Sequence, residues 1–270
     1  METHRLHEEL LRREVRILVV GCGGTGSSIL GGLPYLHQAM LAHGHPFGLS
    51  VTVMDGDVVS PFNCVRQPFS RSEIGLNKGI VLMSRINLFW GLRWTAVPHA
   101  LTMETQSLSH SGAGGSSLCP DIVVGCVDTQ SARAIIAQSI AGRSRVGYWL
   151  DIGNSASTGQ FVLGEPQNAR NKRSSTRLRT VAELYPEVID PALDNDTEPS
   201  CSTVEALERQ ECFVNTVMAQ QALALLARLF RYGEVSHQDA FVDIAASRSV
   251  PIKIGPMGLR RAIRREASQS

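Results

Sequence analysis

The stretch Val15-Arg16-Ile17-Leu18-Val19-Val20-Gly21-Cys22-Gly23-Gly24-Thr25-Gly26 runs from an apolar segment into a glycine-rich turn. The apolar run predicts a buried strand, and helical spacing follows from about residue 25 to 41. A strand that ends in such a turn and opens a helix leaves the first backbone N–H groups of the helix unpaired. Together with the helix dipole they favour an anion above the turn. Glycine permits the turn and lets a phosphate approach the backbone. Thr25, Ser27 and Ser28 are predicted to cap the helix and to add hydroxyl donors. Gly21, Gly23, Gly24, Thr25 and Gly26 are therefore candidate nucleotide-binding residues, the alternative being a tight structural turn.

A second apolar run, Leu49-Ser50-Val51-Thr52-Val53-Met54, ends at Asp55-Gly56-Asp57. A carboxylate at that strand end accepts hydrogen bonds from ribose hydroxyls, which suits NAD and ATP equally. Next come Asn63-Cys64-Val65-Arg66-Gln67 and then Lys78. Arg66 and Lys78 are a fork donor and a point charge that would neutralise β- and γ-phosphates. Asn63 and Gln67 can orient the same oxygens. Two such cations with two amides suit a triphosphate better than a dinucleotide, although isolated Arg and Lys residues are more often solvated surface charges.

Taken in order, the elements GxGGxGS (Gly21 to Ser27), D-x-D (Asp55, Asp57), S-x-x-N-x-x-RQ (Ser60, Asn63, Arg66, Gln67) and G-x-x-K (Gly75, Lys78) resemble the ThiF/MoeB/E1 family of ubiquitin-activating-type adenylyltransferases. Asp121-Ile122-Val123-Val124-Gly125-Cys126-Val127-Asp128, followed by Ser131-Ala132-Arg133, matches a further element. The resemblance covers residues 15–165 well and the rest loosely. Pro199-Ser200-Cys201-Ser202-Thr203-Val204-Glu205 and Gln210-Glu211-Cys212-Phe213-Val214-Asn215 resemble the ThiF-family members of PRTRC cassettes. The resemblance implies ATP and Mg²⁺ as cofactors, with the metal on Asp128. It implies adenylation of the C-terminal glycine of a small ubiquitin-like or sulfur-carrier protein, and a homodimer. An arginine from a partner subunit's N-terminal segment would reach the phosphates, with Arg5, Arg12 and Arg13 as candidates.

Members of this family often pass the acyl group to a cysteine, which must be accessible and near positive charge. Cys201 precedes a predicted helix, whose N-terminus would lower its pKa, while Asp190, Asp194, Asp196 and Glu198 upstream would raise it. Arg66, Lys78, Asp128 and Cys201 form the candidate catalytic set. Cys22 and Cys126 read as structural, and Cys64 as a weak nucleophile candidate.

The 270 residues, 43% apolar, can bury a full core. A net charge of +1 gives no global case for nucleic acid or an acidic partner. No apolar run is long enough for a membrane span, and the polar N-terminus is unlike a signal peptide. Six cysteines without a CxxC argue against the zinc knuckle that many family members carry and fit a reducing cytoplasm.

Strand and helix patterns alternate, which predicts an α/β, Rossmann-like, doubly wound and mostly parallel sheet. The chain reads as one domain over residues 1–270. Residues 3–14 are predicted as an amphipathic helix striped by Leu6, Leu10 and Leu11. A nucleotide-binding core over 15–165 contains a mobile Gly/Ser-rich loop at 109–119. A polar crossing loop spans 166–203. A long apolar helix over 204–231 would pack on the sheet or form a dimer interface. A strand near 240–254 and a basic tail (Arg260, Arg261, Arg264, Arg265) close the chain. An NAD(P)-dependent oxidoreductase would explain the glycines and Asp55 but leave Arg66, Gln67, Lys78 and Asp128 without a role. A non-catalytic scaffold of the same fold is the third reading.

Overall fold

The computed structural model describes residues 2–102, 119–142, 145–169, 171–174, 176–194 and 211–254. The chain opens with strand β1 (His4–Arg5), followed by β2 (Val15–Val20), helix α1 (Gly24–Ala42) and β3 (Leu49–Met54). A short helix α2 (Asn63–Arg66) and α3 (Lys78–Trp90) lead to β4 (Thr95–Val97). Beyond lie β5 (Ile122–Gly125), α4 (Gln130–Ile140), β6 (Tyr148–Asn154), β7 (Thr158–Gly164) and α5 (Val181–Leu184). Helix α6 (Val214–Tyr232), β8 (Glu234–Val235), β9 (His237–Asp243) and β10 (Arg248–Lys253) complete the fold.

Eight strands form the main sheet in the order β10-β9-β7-β6-β5-β2-β3-β4. Neighbours from β4 through β6 pair in parallel, and β7, β9 and β10 add antiparallel partners. The strands nearest the middle are buried on both faces, so β2 from Ile17 onward and β5 read as unbroken apolar runs. Alternate residues feed two cores. Ile17, Val19, Val51 and Val124 pack with α1, α3 and α6. Leu18, Val20, Val123 and Trp149 pack with α4 and α5 on the opposite face. The result is the three-layered, doubly wound architecture expected from the alternation. Among the described residues no helix is long and apolar enough to cross a membrane.

The N-terminal helix expected over residues 3–14 does not form. Its place is taken by β1, paired antiparallel with β8, and by a single 3-10 turn over Glu8–Leu11. A short isolated helix is marginal, and the pairing of His4 with Val235 and Arg5 with Glu234 outweighs it. Leu6 and Leu10 are buried as the stripe predicted, whereas Leu11 is exposed.

Helix α6 also starts later than the expected residue 204. Residues 201–210 lie outside the described part, and Phe213 sits before the first turn, exposed to solvent. The apolar face, Val214, Met218, Ala222, Leu225, Leu226 and Leu229, packs inside the chain against α1 and the sheet. The expected late strand is a hairpin, β9 and β10, that turns through Ser247 at a φ of 49°. The described part of the crossing loop is ordered by α5 and by 3-10 turns over Pro186–Ile189 and Pro191–Leu193. The Gly/Ser-rich loop and the basic tail fall almost wholly outside the described residues.

Asp239 on β9 is 1% exposed. Its Oδ2 accepts from Gln160 Nε2 at 2.8 Å and from the Tyr185 hydroxyl at 3.1 Å, while Oδ1 has no partner among the described residues. Burial raises the carboxyl to about 7, against the opposing effect of the two hydrogen bonds. The unfolded chain ionises this group near the ordinary carboxylate value, of order 4, while the fold keeps it protonated. The stability it contributes is therefore present below that value and is lost as pH rises through 7. Urea titrations should show Asp239→Asn gaining on the wild type between pH 4 and pH 8, by up to roughly 3 kcal/mol.

Candidate functional site

The strand order reverses at β2, which has β3 on one side and β5 on the other. Open parallel sheets bind ligands above such a point, at the strand C-termini. A cleft of about 690 Å³ lies there, within the range of small-molecule sites. The turn after β2 forms its floor. Gly21 adopts a φ of 92°, a conformation that a side chain disfavours, and a Cβ there would meet the Cys126 carbonyl at 2.7 Å. Helix α1 then begins at Gly24 without a side-chain cap. Ser27 and Ser28, expected to cap it, instead turn their hydroxyls back onto the Gly24 carbonyl at 3.0 and 2.9 Å. The Thr25 hydroxyl lies 3.0 Å from both Asn154 Oδ1 and Asn215 Oδ1 and shares its one hydrogen between them. The hydroxyls are thus used within the protein, which leaves the helix start without a side-chain acceptor.

Asp55, 8% exposed at the end of β3, ties this floor to the next loop. Its carboxylate accepts from the backbone N–H of Cys22 and from that of Asp57. Burial raises its pKa, and those two hydrogen bonds oppose the rise. Asn77 fixes the same loop from the other side. Its Nδ2 donates to the Asp55 and Asp57 carbonyls at 2.9 and 3.1 Å, and its Oδ1 caps α3 through Ile80 N. This residue was not among the sequence candidates. An Asn directly before a helical run is an N-cap signal, but nothing local links it to the carboxylate loop.

Lys78 follows as the first residue of α3 and is 7% exposed. Its Nζ lies 2.9 Å from Asp57 Oδ2, whose side chain is 73% exposed. The ammonium is held at the wall of the cleft by a partner that water already solvates. Helix α2 presents Asn63 and half-buried Arg66 to the same space, and Gln67, directly after the helix, lines it too. Asn63 Oδ1 is occupied by the Ser60 backbone N–H and hydroxyl at 2.7 and 3.0 Å. Gln67 Oε1 is buried and has no partner among the described residues. Rotating this amide exchanges acceptor for donor, so Gln67 carries unused hydrogen-bonding capacity at the cleft wall.

From the other side of the switch point, Cys126, Val127 and exposed Asp128 complete the rim. Arg133 on α4 also lines the cleft and places Nε 3.3 Å from buried Asp151 Oδ2. Burial raises the Asp151 carboxyl to about 6, with the Arg133 guanidinium opposing the rise. Asn215 reaches the cleft from α6, a contribution that sequence spacing does not reveal.

The cleft therefore gathers Gly21, Gly23, Gly24, Thr25, Asp55, Asp57, Asn63, Arg66, Gln67, Lys78 and Asp128. Gly26 is the exception. It packs below the floor, where a Cβ would stand 2.0 Å from the Gly21 carbonyl oxygen. Cys201 lies outside the described residues. Burial pushes the Cys22 thiol up to about 12 and also raises that of Cys126, which makes both poor thiolate nucleophiles. Cys64 is half-buried, with its thiol toward the Ser60 carbonyl at 3.7 Å. Of the N-terminal arginines, Arg13 forks onto Asp121 at 2.7 Å through each nitrogen. Arg12 pairs with Glu8 and Arg5 with Glu234, both in solvent.

Comparison with known proteins places this cleft in context. A search of curated proteins finds no match. Among solved structures, PaaA superposes with a TM-score of 0.57 at 13% identity, covering 89% of this chain and 64% of PaaA. MccB of E. coli superposes with a TM-score of 0.55 at 14% identity, covering 89% of this chain and 62% of MccB. The chain thus spans slightly under two thirds of the length of these neighbours, and the likeness is one of fold. The ThiF family model matches residues 6–252, which include every element of the cleft and nearly all of the main sheet, and the chain belongs to the ThiF family.

Proposed function

We propose that this protein is an E1-like adenylyltransferase that uses ATP to activate the C-terminal glycine carboxylate of a small ubiquitin-like or sulfur-carrier protein. One observation carries the reading: Arg66, Lys78, Gln67, Asp55 and Asp128 line one cleft together with an uncapped helix start. A dinucleotide would leave those cations and Asp128 without a task. Membership in the ThiF family supports the reading. So does the fold neighbour MccB, whose structures include one with ATP and one with MccA.

In the proposed reaction a carboxylate oxygen of the carrier attacks the α-phosphorus. The bond to the bridging oxygen breaks, and pyrophosphate leaves with the electron pair. The protein aligns the reactants and neutralises charge that builds on the leaving group. The N–H groups at the start of α1 and the side chains of Arg66 and Lys78 face that charge. Gln67 orients a phosphate oxygen, and Asp55 accepts from a ribose hydroxyl. Asp128 offers a hard, accessible carboxylate of the kind that binds Mg²⁺ beside phosphates, and there the metal would supply further charge neutralisation. Asp128→Ala should lower ATP–pyrophosphate exchange by about a hundredfold or more. Because Asp128 is exposed, the melting temperature should stay unchanged. Undiminished exchange in that variant removes the Mg²⁺ assignment.

The carrier, by the family resemblance, is a small ubiquitin-like or sulfur-carrier protein that ends in glycine. The active form is a homodimer, with Arg5 or Arg12 of one subunit serving the other. Cys201 receives the acyl group from AMP as a thioester. Cys201→Ala should spare pyrophosphate exchange and remove any thiol-reducible carrier adduct on gels. A persisting adduct contradicts that role.

A further inference from the structure

At the end of the sheet opposite the cleft, three side chains meet that the nucleotide chemistry does not use. His4 stands on β1, His7 just ahead of the first 3-10 turn, and Glu165 directly after β7. Their ligating atoms all lie within 4.8 Å of one another. His7 Nε2 is 2.8 Å from Glu165 Oε1, and His4 Nδ1 is 3.6 Å from Glu165 Oε2. The second separation exceeds a hydrogen bond. It is close to the spacing of about 3.4 Å between two ligands on one tetrahedral zinc ion with bonds near 2.1 Å. We propose that His4, His7 and Glu165 form a zinc site that fastens the N-terminal segment to the base of the sheet.

The surroundings match what metal ligands need. A ligating imidazole normally holds its second nitrogen in a hydrogen bond, which fixes the ring and the tautomer. His4 does this through Nε2, 2.8 Å from the Tyr148 hydroxyl, so that Nδ1 faces the carboxylate. Burial raises the Tyr148 pKa, which keeps its hydroxyl protonated. The backbone N–H of His7 also donates to that hydroxyl, at 3.3 Å. Glu165 Oε2 is oriented by the Leu178 N–H at 2.8 Å. The side chains of His4 and Glu165 are each 6% exposed, whereas that of His7 is 33% exposed, which gives an ion its route in and solvent the fourth position. Two imidazoles and one carboxylate are a zinc donor set. Metal binding would replace the His7–Glu165 hydrogen bond, with the imidazole proton of His7 carried on Nδ1 instead of Nε2.

The site is independent of the cleft, and its test needs no nucleotide. The full chain is dialysed against zinc, freed of excess ion and analysed for metal. A parallel sample receives cobalt(II) for visible spectroscopy. One zinc per chain is expected, with a tetrahedral cobalt spectrum lacking thiolate charge-transfer bands. Removing the metal with a chelator should lower the melting temperature of the wild type. His7→Ala should weaken zinc binding by more than tenfold and abolish the chelator response, and Glu165→Gln should act likewise. Should either variant fail to fold, the cobalt spectrum of the wild type decides. No retained zinc in the wild type, undiminished binding by a folded His7→Ala, or thiolate bands in the cobalt spectrum would each overturn the assignment.

Discussion

Lys78→Met is expected to lower ATP–pyrophosphate exchange by about a thousandfold, the loss that follows removal of one well-placed donor to developing charge. The substitution keeps most of the buried stem and deletes only the ammonium. In the resting protein that ammonium meets one carboxylate, Asp57, at 2.9 Å, and the Asp57 side chain is 73% exposed. An ion pair with so solvated a partner contributes little to folding, so the melting temperature should move by no more than a few degrees. The ammonium therefore has its main use in the cleft, facing the leaving pyrophosphate. ATP affinity should fall far less than turnover, because the charge on the leaving group grows as the bond breaks. A loss of ATP affinity with exchange at saturating ATP unchanged would assign Lys78 to ground-state binding alone. A folded variant with full exchange would remove it from the machinery.

Gly26→Ala and Gly23→Ala should behave in opposite ways although each adds one methyl group. At Gly26 the new Cβ would stand 2.0 Å from the Gly21 carbonyl oxygen, a backbone atom that cannot move without dislodging the turn. Destabilisation of about 3 kcal/mol or more is expected, in the range of severe overpacking, together with loss of nucleotide binding. At Gly23 the φ is −73° and nothing lies within 4 Å of the added carbon. The fold should tolerate it. The methyl group would occupy space that a phosphate needs, and ATP affinity should fall at least tenfold at an unchanged melting temperature. Thermal melts and ATP titrations on the two variants separate these effects. Unchanged ATP binding in Gly23→Ala would place the phosphates elsewhere.

The contrast between these glycines marks what the sequence carries. The strand, turn and helix around Gly21 are legible because apolar periodicity and glycine spacing are local properties. So are β3 with its terminal Asp55, and the buried β5 leading to Asp128. Which glycine faces ligand and which faces protein is a matter of tertiary contact, and spacing alone groups Gly26 with Gly23. The role of Asn77 is hidden for the same reason. Its amide reaches carbonyls twenty and more residues earlier in the chain, Asp55 and Asp57. The first fourteen residues show the limit from the other direction. Leu6 and Leu10 point inward as a helix would place them, yet the backbone pairs with β8, a partner more than two hundred residues away. The absence of a CxxC predicts no cysteine zinc knuckle, but the His4–His7 pair becomes a metal candidate only once β7 delivers Glu165 to it.

Whether this cleft couples ATP to a carrier carboxylate is read from ATP–pyrophosphate exchange with Mg²⁺, measured with and without a small glycine-ended ubiquitin-like protein. Exchange that requires the carrier, and that is lost when its terminal glycine is deleted, is the predicted result. Micromolar ATP binding with no exchange under any carrier condition would leave a nucleotide-binding scaffold, and no ATP binding with a clear response to NAD(P) would contradict the account.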